Sequence, residues 1–150
     1  LVLRKEREGG KMSYKVLVVD DEAPVRDLFN DLLQKENCTV SCVATGEEAL
    51  DIIQKEDFDV VLLDIKLPGI SGLEALKKIK DLKPNIIVIM ITGFGYDEDL
   101  IAKSKEYGCS GYIGKNMTIT QIMTSFRFFT KTAQEKRKNS PKKSIHDYTD

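Results

Sequence analysis

A few side chains in this chain of 150 residues have the types and spacing that chemistry on a phosphoryl group requires. Asp20 and Asp21 follow the apolar run Val16-Leu17-Val18-Val19, and Asp64 ends the run Phe58-Asp59-Val60-Val61-Leu62-Leu63. Thr92 follows Ile86-Ile87-Val88-Ile89-Met90-Ile91, and Lys115 comes just after Ser110-Gly111-Tyr112-Ile113. Carboxylates about 4 Å apart in a partly buried site repel by about 4 kcal/mol, so three of them together need protons or a cation. Hard oxygen ligands without His or Cys suit Mg²⁺, which keeps several waters and takes phosphate oxygens as further ligands. A hydroxyl and a mobile ammonium would complete a phosphoryl-handling pocket. Singly, each residue has a plainer role: the acids complement a helix dipole or end a strand, Thr92 is a β-former, and Lys115 is solvated. Their recurrence at the ends of four successive strands favours a site.

The elements that must bring them together are legible in hydrophobic periodicity. Residues 16–19 (β1), 58–64 (β3) and 86–91 (β4) are short apolar runs, as expected for strands buried on both faces. Residues 39–44 (β2) alternate and residues 110–113 (β5) contain glycine, which suits two edge strands. After Pro24, the positions Val25, Leu28, Phe29, Leu32 and Leu33 mark an amphipathic helix, α1. Thr45 with Glu48 and Ser71 with Glu74 have capping-box spacing. Ala49, Ile52 and Ile53 then form the inner face of α2, and Leu73, Leu76 and Ile79 that of α3, which Pro84 ends. The helix at about 97–107 (α4) offers only Leu100, Ile101 and Ala102, so its packing should be the weakest. Ile119, Ile122, Met123, Phe126 and Phe129 define α5.

Five strands alternating with five helices make an α/β domain with a parallel sheet covered on both faces. Right-handed crossovers, with the most apolar strands inside, give the order 2-1-3-4-5, a flavodoxin-like arrangement. In that order the ends of β1 and β3 are neighbours at the switch point, which brings Asp20, Asp21 and Asp64 together. The domain is expected over residues 14–135, with residues 1–13 as an extension and 136–150 as a disordered basic and polar tail; Met12 is a candidate natural start.

The chain has 23 basic and 24 acidic residues. Its ends are basic, which leaves the middle with 13 basic against 19 acidic residues. That acidic balance argues against a nucleic-acid surface. Three cysteines without Cys-x-x-Cys spacing fit a reduced cytoplasmic interior, and no apolar run is long enough to cross a bilayer.

Asp20-Asp21, Asp64, Thr92 and Lys115, with Leu67-Pro68-Gly69 and Gly72 after the central acid, resemble a response regulator receiver domain over about residues 14–130. The resemblance implies that Asp64 is the phosphoacceptor, taking a phosphoryl group from a histidine kinase or phosphotransfer protein. It also implies that Asp20, Asp21, Asp64 and the Lys66 main-chain carbonyl hold Mg²⁺. Lys115 and Thr92 would bind phosphoryl oxygens, and Tyr112 would be the switch aromatic. The readout would be the α4-β5-α5 face, where Phe94, Tyr96 or Phe128 could meet a downstream protein or a second copy. No separate substrate would be turned over.

Two features depart from that family's pattern. Asn116 replaces the usual proline after Lys115, so the peptide bond between them should be trans and Lys115 could be aimed differently. Lys66 and Phe94 are bulkier or more charged than an open pocket would have, and are expected to lengthen the phosphoryl group's lifetime by hindering water. An aspartate-dependent phosphatase would need an Asp-x-Asp pattern after the first strand, which Asp20-Asp21-Glu22 does not supply. A protein-binding module that works without phosphorylation is the main rival. A receiver cut from a longer regulator with an output domain is another, because the residues after α5 are too few and too polar for a helix-turn-helix. His146 lies in the tail without a helical bundle to make it a phosphohistidine.

Overall fold

The computed structural model describes residues 13–93 and 97–139. The elements are β1 (Lys15–Val19), α1 (Ala23–Lys35), β2 (Thr39–Val43), α2 (Gly46–Lys55), β3 (Val60–Asp64), α3 (Gly72–Leu82), β4 (Ile87–Thr92), α4 (Glu98–Glu106), β5 (Gly111–Gly114) and α5 (Ile119–Asn139). The strands form one parallel sheet in the order β2-β1-β3-β4-β5, as expected.

The apolar runs make central strands because successive side chains point to opposite faces and both faces are covered. Val16, Val18, Val60, Leu62, Ile87, Ile89 and Ile91 pack with Phe29 and Leu33 of α1 and Ile122 and Phe126 of α5. Leu17, Val19, Val61, Leu63, Val88 and Met90 pack with Ala49 and Ile53 of α2 and Ala75, Leu76 and Ile79 of α3. On the edge strand β2, Thr39 and Cys42 are exposed and the other three residues are half-buried.

Helix starts follow local chemistry. The Thr45 and Ser71 hydroxyls accept hydrogen bonds from the Glu48 and Glu74 amides, both at 3.1 Å. These satisfy donors that the first turn leaves unpaired. Asp97 caps α4 in the same way, accepting from the Asp99 and Leu100 amides. Only Ile101 and Ser104 of α4 are buried, while Ala102, one of its three apolar residues, is exposed. Ser104 takes its place and donates to the Leu100 carbonyl at 2.7 Å.

Two expectations for α5 and one for α1 are corrected. Ile119 is exposed, because it opens α5 before the helix reaches the sheet. The helix also continues to Asn139, so the first four residues of the expected tail are helical. In α1, Leu28 lies at the margin of the apolar stripe and is exposed. An ion pair between Arg127 of α5 and Glu36, just past α1, ties these two helices together on one side of the sheet.

Gly72, at the start of α3, lies against the carboxyl end of β3. A Cβ there would sit 2.0 Å from the Asp64 carbonyl oxygen and 2.6 Å from the Ile65 Cα. Gly→Ala inside a helix ordinarily stabilises by about 1 kcal/mol. Gly72→Ala should do the opposite and lower the stability by about 1–3 kcal/mol in urea titration, since backbone on both sides must move. A neutral or stabilising result would show that α3 can slide away from the site freely.

Candidate functional site

Val19 of β1 is in register with Leu63 of β3, which sets Asp20 beside Asp64 at the carboxyl edge of the sheet. Asp20 is fully buried, Asp64 is nearly so, and Asp21 is exposed. Asp20 is held by its surroundings: its amide donates to the Val43 carbonyl, and its Oδ1 accepts from the Glu22 amide at 2.9 Å. Its own carbonyl accepts from Arg26 Nη1 at 2.7 Å. Asp64 Oδ1 accepts from the Lys66 amide at 3.1 Å.

Lys115 reaches this pair from β5. Its Nζ lies 2.6 Å from Glu22 Oε2, 3.0 Å from Asp20 Oδ2 and 3.2 Å from Asp64 Oδ2. Asn116 does not turn it away. There is no cis peptide bond among the described residues, so the bond before Asn116 is trans, and the Lys115 amide donates to the Thr92 carbonyl at 2.7 Å. That bond fixes the backbone at the root of the lysine and sets Thr92 beside it. Thr92 is half-buried at the end of β4, in register with Gly114. Tyr112 is half-buried and sits in register with Met90, in the layer under α2 and α3. The Lys66 side chain is exposed, and Phe94 and Tyr96 lie outside the described residues.

Burial pushes the Asp64 carboxyl up to about 6. The Lys66 amide pulls it down, the Asp20 charge pushes it up, and Lys115 pulls it down again. For Lys115, burial disfavours the charge, but Glu22, Asp20 and Asp64 outweigh it and raise the ammonium above its ordinary value. The pocket therefore holds one secure positive charge among acids that repel one another.

Asp20, Asp21 and Asp64 each offer an oxygen, and these lie within 4.8 Å of one another. Asp20 Oδ2 is buried and accepts no hydrogen bond, although Lys115 Nζ is at ion-pair distance from it. A buried oxygen without a hydrogen-bond donor, in a group of hard oxygen ligands, fits a divalent cation. Glu22 and Arg26 complete the surroundings of the site and were not singled out from the sequence. Their signal was the third acid in Asp20-Asp21-Glu22 and a cation four residues after it.

The model of the response regulator receiver domain family matches residues 16–127, and the chain belongs to that family. Members are phosphorylation-dependent modules of two-component signalling, so a binding module that works without phosphorylation is not favoured. The chain is 42% identical over 111 residues to sporulation initiation phosphotransferase F of Bacillus subtilis, covering 74% of this chain and 89% of that one. It is 38% identical over 132 residues to the regulatory protein VanR of Enterococcus faecium, covering 85% of this chain and 56% of VanR. The crystal structure of NtrX from Brucella abortus superimposes with a TM-score of 0.79 at 29% identity, over 85% of this chain and 29% of NtrX. The chain thus spans little more than half of VanR and under a third of NtrX.

A carboxyl whose pKa rises on folding contributes stability below its unfolded value, and that contribution is lost as pH rises through the folded one. With chelator present, Asp64→Asn should be more stable than the parent at pH 7.5, by about 1–3 kcal/mol. The gap should shrink as pH falls through about 6 and close near the ordinary aspartate value. Urea titrations across pH measure it, and a gap independent of pH would refute the assignment to Asp64.

Proposed function

We propose that Asp64 is the phosphoacceptor of a two-component switch. A carboxylate oxygen of Asp64 attacks the phosphorus of a phosphohistidine on a histidine kinase or phosphotransfer protein. The P–N bond breaks as the P–O bond forms, and the imidazole leaves with its proton. The observation that supports this best is Lys115 Nζ at 3.2 Å from the nearly buried Asp64, with Asp20 and Asp21 alongside.

Asp20, Asp21, Asp64 and the Lys66 main-chain carbonyl would hold Mg²⁺, which when bound neutralises charge on the phosphoryl oxygens. Lys115 supplies a positive charge to the same oxygens. Thr92, adjoining Lys115 through the backbone bond, donates its hydroxyl to one of them and draws the following loop inward. Tyr112 then turns toward the space Thr92 leaves. The shift is read on the α4-β5-α5 face by a downstream protein or a second copy, where Phe128 is exposed. The chain turns over no separate substrate and does not bind nucleic acid directly. Cys38, Cys42 and Cys109 are not in disulfides, and no described helix is long and apolar enough to cross a membrane. We place the exchange in the cytoplasm on the side of the kinase's phosphohistidine.

Incubation with Mg²⁺ and acetyl phosphate, read by intact mass, should add one phosphoryl group to the parent chain and none to Asp64→Asn. An adduct that survives in Asp64→Asn would remove Asp64 from its role. Lys66→Ala and Phe94→Ala should each shorten the adduct's lifetime severalfold, because both side chains are expected to screen the acyl phosphate from water. Unchanged decay in both would refute that screening.

A further inference from the structure

Glu22 is the N-cap residue of α1, yet its carboxylate makes no capping hydrogen bond. Short polar side chains at an N-cap normally accept from the first-turn amides. In this chain the carboxylate reaches across to Lys115, making the shortest of that lysine's ion pairs at 2.6 Å. The three acceptors differ in how easily they can release the ammonium. The side chains of Asp20 and Asp64 are 0% and 4% exposed and would be left buried and charged, whereas that of Glu22 is 56% exposed and rehydrates in place. The Lys115 backbone is pinned by its bond to Thr92, so only the four-carbon stem can swing.

We propose that Glu22 is a latch on Lys115: a positioning residue that holds the ammonium toward the rim in the unphosphorylated protein and competes for it with the incoming phosphoryl oxygens. The proposal rests on the phosphoryl-transfer reading above. The Glu22 carboxylate acts through the lysine alone, whereas its main-chain amide serves Asp20. Its release sets how readily the site accepts a phosphoryl group.

Initial rates of adduct formation with acetyl phosphate and Mg²⁺ test this in the full chain. Glu22→Gln should accelerate the reaction about three- to tenfold, and should change nothing in a Lys115→Met background, since the effect travels through the lysine. Glu22→Asp should also accelerate it, although the charge stays, because the shorter side chain does not span to Lys115 and can cap α1 instead. Acceleration that persists without Lys115, or an Asp variant at the parent rate, would mean that Glu22 merely repels the anionic donor, and would overturn the latch. No acceleration at all would overturn it too. A second readout needs neither phosphodonor nor Mg²⁺: in chelator, Glu22→Gln and Lys115→Met should be coupled by about threefold or more in the folding constant. Additive effects would overturn the contact. A parent chain that forms no adduct but keeps this coupling would sink the phosphoryl-transfer reading and leave the contact standing.

Discussion

Two carboxylates that repel one another, Asp20 and Asp64, are buried side by side at the end of the sheet, and a single ammonium from Lys115 answers both. Burying charge is costly unless it is paired, so this cluster persists only because the fold holds it together. Adjacent strand ends set the spacing of the acids. Backbone amides of Glu22 and Lys66 orient them, and the bond from Lys115 to Thr92 delivers the cation. The tension among these charges leaves an acid cluster whose chemistry suits a divalent cation.

The packing around the site follows from the same demand. Three central strands with no polar side chain except at their ends give a rigid base, because each is clamped between a helix layer above and another below. Gly72 lets α3 approach the Asp64 carbonyl closely, so the loop carrying Lys66 and Pro68 is held between a strand end and a helix start. By contrast α4 is anchored chiefly through Ile101 and Ser104. Firm support under the acids and slight support under α4 come from one distribution of apolar residues.

Most of this was legible in the residues themselves. Apolar runs ending in Asp20, Asp64 and Thr92 carried the central strands and their order, because a fully buried parallel strand leaves a continuous signal. Local sequence pattern carries less where a side chain's direction depends on tertiary geometry. Ile119 fits a helical stripe but stands before the helix meets the sheet, and Ser104 is buried where Ala102 had the better claim. Asn116 in place of proline changes the peptide unit, but the Lys115 backbone is set by its hydrogen bond to Thr92, a contact between strands that the local sequence does not display. Glu22 went unnoticed because its partner lies 93 residues away, a distance no local pattern spans.

The ion pair between Arg127 and Glu36 joins α5 to the end of α1 on one side of the sheet. Among the described residues no ion pair anchors α4, of which only Ile101 and Ser104 are buried. The helices are thereby held unevenly: α1 and α5 are tied to each other, and α4 is not. An element held by few buried side chains costs least to displace, so α4 is the helix that yields first to a change at the neighbouring strand ends.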